Sequence, residues 1–423
     1  MKKTLYSVVY LIIGVYTLSG CIEEFEADIP SEDTDLLVVE GTICSEKVNT
    51  FILTRTRPVN TSDISTPQRV TGAIVSVRGS DGSVYMTQEH NKETEPIYYV
   101  GGSPQGNITR EYVNPTNPTT GGYYSCQLDA LNPDVEYYLH IEYDGEVYES
   151  EPQKPLRTEG IAEVSGVQDT PESNINVLIT PDAPFEPDKA HYYSWTYDET
   201  WEVHSDYTTF VSYDRENHAS VIDPRQFPWR GWKDDTSTTI MVGASPSYEG
   251  QHIRRLKMYD IDRGDERVYH KYSGLVHQRA ISKAEYEYEL ARGQADTEMG
   301  GLFTPQPSSL PTNIRCLTSK KHVIGFVGCS MNTSEYRFFL IDTDYSIKIP
   351  HHDDTRQWYT NPEPWLCCQL LDRGLFLCEW FTSGVDGSLQ TAWAYQSQLD
   401  VRYKGAYIVE PSFWSQDEDE KDE

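Results

Sequence analysis

Between residues 36 and 158 apolar and polar positions alternate in short runs, at 36–43, 73–77 and 123–128. Turn residues break the runs, as in Ser80-Asp81-Gly82-Ser83 and Asp144-Gly145. Period two sends neighbouring side chains to opposite faces of a sheet, so these runs predict half-buried strands. The same alternation returns at 175–179, 191–197 and 336–341. One segment changes period: Ser282 and Glu285 have capping-box spacing, 284–292 are mostly good helix formers, and Gly293 is placed to close the end. A helix of about three turns is predicted there.

The run Leu131-Asn132-Pro133-Asp134-Val135-Glu136-Tyr137-Tyr138-Leu139-His140-Ile141 resembles the corner of fibronectin-type and immunoglobulin-like sandwiches. By that resemblance Tyr137 bonds back to the backbone, and Leu139 and Ile141 point inward. Pro152 and Pro155, among polar neighbours, end the strand at 146–150 and mark a linker to residue 160. The expected class is therefore mainly β: an immunoglobulin-like or fibronectin-like sandwich at 36–158, then a larger β-rich domain at 161–414 with one short helix. The charged stretch 415–423 is expected to be a disordered acidic tail.

Thirty tyrosines and nine tryptophans agree with short strands joined by turns. A formal charge of −31 removes phosphate-directed binding, because nucleic-acid recognition depends on clustered Lys and Arg.

The chain opens with Lys2 and Lys3, continues through an apolar run and reaches Leu18-Ser19-Gly20-Cys21. Roughly 14 apolar residues fall short of the ~20 that span a bilayer, so 1–20 reads as a lipoprotein signal peptide cleaved before Cys21. The Cys21 thiol would take diacylglycerol, and two or more acyl chains at about 0.8 kcal/mol per methylene hold a protein firmly on a membrane. Residues 21–35 form an acidic tether in this reading. Glu23, Glu24 and Glu26 behind the cysteine resemble the surface-export signal of Bacteroidota lipoproteins. Export places the remaining seven cysteines in an oxidising compartment, with one necessarily unpaired. Bridges are expected between Cys316 and Cys329, across a predicted hairpin, and between Cys378 and the Cys367-Cys368 pair, although spacing cannot fix connectivity.

A longer pattern runs from Val268 through Tyr272-Ser273-Gly274-Leu275-Val276-His277-Gln278-Arg279-Ala280-Ile281-Ser282 into the predicted helix. It continues at Gly300-Gly301-Leu302-Phe303-Thr304-Pro305, Asn313-Ile314 and Val323-Ile324-Gly325-Phe326-Val327. With the lipobox, Leu37-Val38-Val39-Glu40-Gly41 and Pro411-Ser412-Phe413-Trp414, it resembles the Bacteroidota outer-membrane lipoprotein family labelled domain of unknown function four-two-four-nine. The resemblance implies a lipoprotein beside a TonB-dependent receptor, and it carries no catalytic residues. The apolar, cysteine-rich stretch 365–380 departs from that pattern.

No nucleophile elbow, zinc-protease motif, phosphate loop or dinucleotide turn occurs, so no enzyme, cofactor or metal is expected. His351-His352-Asp353-Asp354 has metal-ligand residue types, but adjacent strand residues face opposite ways, so a solvated loop is the better reading. Trp229 and Trp232, in Phe-Pro-Trp-Arg-Gly-Trp, are the first candidates for ligand binding or docking, since flat aromatic faces stack on rings. Trp358-Tyr359 and Trp365 form a second candidate cluster. The expected role is a non-catalytic, outward-facing lipoprotein of the outer membrane that captures a ligand, of unknown identity, beside a TonB-dependent transporter. Adhesion or surface assembly, and glycan degradation, are the alternatives.

Overall fold

The computed structural model describes residues 35–45, 48–56, 68–90, 98–102, 108–112, 121–183, 189–223, 227–237, 239–297, 310–351 and 353–415. The signal peptide, Cys21, the tether up to residue 34, the Gly300-to-Pro305 motif, His352 and the tail from 416 lie outside them. Among the described residues no helix is long and apolar enough to cross a membrane.

The chain is mainly β. Its first core lies between two sheets. One runs Val323–Ser330, Leu37–Cys44, Val48–Arg55, Tyr123–Gln127, Gln88–His90; the other runs Ile314–Cys316, Glu146–Ser150, Tyr137–Tyr143, Ile74–Gly79, Val84–Met86. Val39, Phe51, Leu53 and Tyr124 of the first meet Val75, Val77, Leu139 and Ile141 of the second. The Tyr137 hydroxyl accepts a bond from the Asn132 amide at 3.0 Å, which is the corner contact expected from the sequence.

Two strands of this sandwich come from far along the chain. Val323–Ser330 pairs in parallel with Leu37–Cys44, and Ile314–Cys316 pairs with Glu146–Ser150. The covalent division expected at 158–161 therefore does not coincide with the division of the cores, because Ile314, Val323, Val327 and Cys329 are buried in the first. Gly325 permits the parallel pairing. Its φ is +124° and a Cβ there would stand 1.9 Å from the Val39 carbonyl oxygen.

The second core lies between a three-stranded sheet, Gly160–Val167, Ile175–Asp182, Leu256–Ile261, and a sheet built on the 13-residue strand Tyr192–His204. That strand is flanked by Arg230–Thr236 and Lys271–Ala280, with Ser334–Ile341 beyond. Val177 and Ile179 meet Trp195, Tyr272 and Leu340 inside. The linker is pinned where the two cores join: Thr158 and Asn332 exchange three hydrogen bonds of 2.7–3.0 Å, and the Thr158 hydroxyl accepts from the Ala280 amide.

The predicted helix is Lys283–Thr297 and runs through Gly293 instead of ending there. Ser282 caps it by accepting from the Glu285 amide, while the buried Glu285 carboxylate takes Arg279 at 2.5 Å. The expectation of a single helix is corrected by two more, Pro364–Asp372 and Gln396–Leu399. Pro364 suits a first helical turn, and Cys367 and Leu370, three apart, share the buried face.

The expected bridges are also absent. All seven described cysteines are free thiols. Cys316 and Cys329 sit on strands of different sheets and do not flank a hairpin. Along Leu375–Thr382, Leu375 and Leu377 join the cluster containing Cys367 and Trp393, while Phe376 and Cys378 join Phe227 and Leu399. Period two thus keeps Cys378 on the face away from Cys367.

Candidate binding surface

Trp229 and Trp232 do not form an exposed loop. Arg230–Thr236 is a strand against Tyr192–His204, and Trp232 is only 3% exposed. Its backbone N–H and C=O both bond Tyr407, at 2.8 and 2.9 Å, and its ring meets the buried Trp414 edge-on at 6.2 Å. Gly231 allows this approach, since a Cβ there would come within 2.6 Å of the Tyr407 carbonyl oxygen. Trp414 is held in turn, its indole N–H donating to Glu202 at 3.2 Å and its carbonyl accepting from Lys271 at 2.8 Å. Trp232 is therefore a lock for the C-terminal segment. Trp229 is half-buried, its ring at a 71° angle to His204, which stacks on His270 with ring centres 3.6 Å apart.

Charge in this lock is internally satisfied. Burial raises the Glu202 carboxyl pKa, but hydrogen bonds from His204 and Arg230, the Arg230 charge and the Trp414 indole bring it down to about 2. Burial, and then the neighbouring His204, push the His270 imidazole below its ordinary value. A cleft of about 340 Å³ between the two cores is similarly committed: Arg279 pairs with Glu285, and His277 with Asp198 and Glu335.

The second aromatic cluster presents an open surface. Near the C-terminus the strands Gln357–Thr360, Leu389–Tyr395 and Leu375–Thr382 form a small sheet. Helix Pro364–Asp372 supplies Cys367 and Leu370 to the cluster on one of its faces, with Leu377 and Trp393. Register places Trp358 opposite Ala392 and Glu379 beside it, then Thr360, Gln390 and Phe381 one step on, all on the other face. Trp358 and Phe381 are 41% and 45% exposed, with rings at 65° and centres 6.0 Å apart.

Arg356 extends the row. Its guanidinium lies 5.0 Å from the Trp358 ring centre and 4.8 Å from that of Tyr207. Asp354 takes it through two oxygens at 2.8 and 2.9 Å, and Glu379 binds a third nitrogen at 2.5 Å. The Trp358 indole N–H also donates to Asp354, at 3.0 Å. These bonds, Arg356 foremost, hold the Asp354 carboxyl well below the usual carboxylate range. Of the histidine-aspartate run, Asp354 thus serves this row, while His351 and Asp353 are exposed. Among the described residues no group of three His, Cys, Asp or Glu side chains is arranged to hold a metal ion. Trp365 is exposed on its helix and Tyr359 turns inward.

The sequence offered Trp358 and Trp365 as candidates but gave no sign of Arg356, Glu379, Phe381 or Tyr207. Only strand alternation, by which 354, 356, 358 and 360 share a parity, hinted at the near half of the row.

The model of one protein family, described as Domain of unknown function (DUF4249), matches residues 22–336. The chain belongs to that family. No curated protein matches the sequence. The DUF4249 match contains the whole first core and most of the second, ending within the strand Ser334–Ile341 before Phe338, Leu340, Val401 and Ala406, and it includes Trp229, Trp232 and Tyr207. Asp354, Arg356, Trp358, Glu379 and Phe381 lie beyond it.

Proposed function

We propose that the chain is an exported, non-catalytic lipoprotein, anchored in the outer membrane through Cys21 and facing the exterior, that captures a ligand for a TonB-dependent transporter. The observation that carries the capture role is the row from Tyr207 through Arg356 and Trp358 to Phe381. Its aromatic rings are half-open to solvent, and its cation is held by carboxylates before any ligand arrives. A fixed surface loses little side-chain entropy on binding, which favours affinity. The anchor rests on the Leu-Ser-Gly-Cys sequence at the end of the apolar run, and the transporter on the habit of the resembling lipoproteins. Adhesion would use the same tether and is the reading to be separated from this one.

The test is affinity purification of the full, lipidated chain from detergent-solubilised membranes after mild cross-linking. Copurification of a β-barrel channel is the expected result. Recovery of the chain without a channel, together with loss of cell–cell aggregation on deletion, would move the assignment to adhesion.

A further inference from the structure

Resting on that capture reading, the geometry points to a more specific ligand: we propose that the face carrying Trp358 and Phe381 binds an uncharged oligosaccharide. A sugar ring has one face of C–H groups with partial positive charge, which are attracted to the negative π face of an aromatic ring, and a rim of hydroxyls that both donate and accept. The row supplies both requirements on one sheet face. Trp358 and Phe381 offer the aromatic surface. Around them Thr360 and Gln390, bonded to each other at 2.9 Å, supply a hydroxyl and an amide, and the half-exposed Glu379 retains lone pairs not used by Arg356, whereas the Asp354 oxygens are filled by Arg356 and Trp358.

Charge narrows the class. One guanidinium faces two carboxylates, so the row is locally negative, on a chain of formal charge −31. Uronates and sulfated sugars meet like charge there, whereas a neutral glycan meets only hydrogen-bonding groups. A protein partner would also use exposed aromatics, and the failure of every neutral polysaccharide to retard the chain would point to it.

The experiment is affinity electrophoresis of the full chain in detergent, through gels containing a β-glucan, a mannan or a xylan, and in parallel polygalacturonate or a sulfated galactan. Retardation by at least one neutral polysaccharide and by neither anionic one is expected. Trp358→Ala should weaken that retardation about tenfold or more, and Trp365→Ala, on the helix away from this face, should leave it intact. Phe381→Ala, checked by circular dichroism, serves if Trp358→Ala does not fold. The proposal is overturned if no neutral polysaccharide retards the chain, if the anionic ones retard it more, or if folded Trp358→Ala and Phe381→Ala variants run as the parent does. Channel copurification, measured on the same samples, separates the two readings. Capture without glycan binding rejects only the sugar, and glycan binding without capture rejects only the transporter.

Discussion

Replacing Trp232 by Ala tests whether this side chain locks the C-terminal segment or merely decorates a surface. The residue is 3% exposed and packs against Trp414 and Tyr407, with Arg230 5.0 Å from its ring centre. Truncating a buried Trp costs about 3–5 kcal/mol in lost transfer energy and residual cavity. The indole N–H makes no hydrogen bond among the described residues, so no polar partner is orphaned by its removal and the loss falls in the lower part of that range. For a unit of this size, about 3 kcal/mol corresponds to a fall in Tm of roughly 6–12 °C. Trp365, 65% exposed, is the control, and its replacement by Ala should change stability by no more than about 0.5 kcal/mol. Urea denaturation of the full chain, followed by tryptophan fluorescence and circular dichroism, measures both. A Trp232→Ala midpoint equal to that of Trp365→Ala would refute the lock and return Trp232 to the surface.

Tyr137→Phe removes the bond to the Asn132 amide and should destabilise the first core by about 0.5–1.5 kcal/mol, read as an earlier urea transition for that core alone. A neutral result counts against the corner. Acidification should weaken the second core in two windows. The folded-state pKa of His270 lies below its ordinary 6.5, so the unfolded chain binds the proton first, and stability that is complete above pH 6.5 declines below it and is lost as pH falls through the lower folded-state value. Glu202, lowered from 4.5 to about 2, adds stability that is complete above pH 4.5 and disappears toward pH 2. Urea midpoints taken from pH 8 to 3 should show both declines, and His270→Gln should remove the first; a midpoint that rises on acidification contradicts the assignment. Cys21→Ala should abolish lipid labelling and release the chain from the membrane fraction, and unchanged fractionation would reject the anchor.

Local chemistry was legible along the chain. The corner from Leu131 to Ile141, the Asp144-Gly145 turn, the alternation at 175–179 and the start of the helix after Ser282 depend on a few neighbouring residues, and each formed where the sequence put it. What tertiary structure alone decided is which faces meet. The continuous apolar run of Val323–Ser330 says that the strand is buried, but not that Leu37–Cys44 pairs with it, and nothing along Arg230–Thr236 says that Tyr407 crosses it. The glycines at 231 and 325 marked close approach without naming the partner. Prolines and glycines around Trp229 and Trp232 therefore read as a loop until a segment some 170 positions later covered them. The exposed row escaped for the converse reason. Trp358, Phe381 and Tyr207 come from separate strands and a distant loop, and a surface assembled by sheet register and one shared guanidinium has no contiguous sequence to announce it.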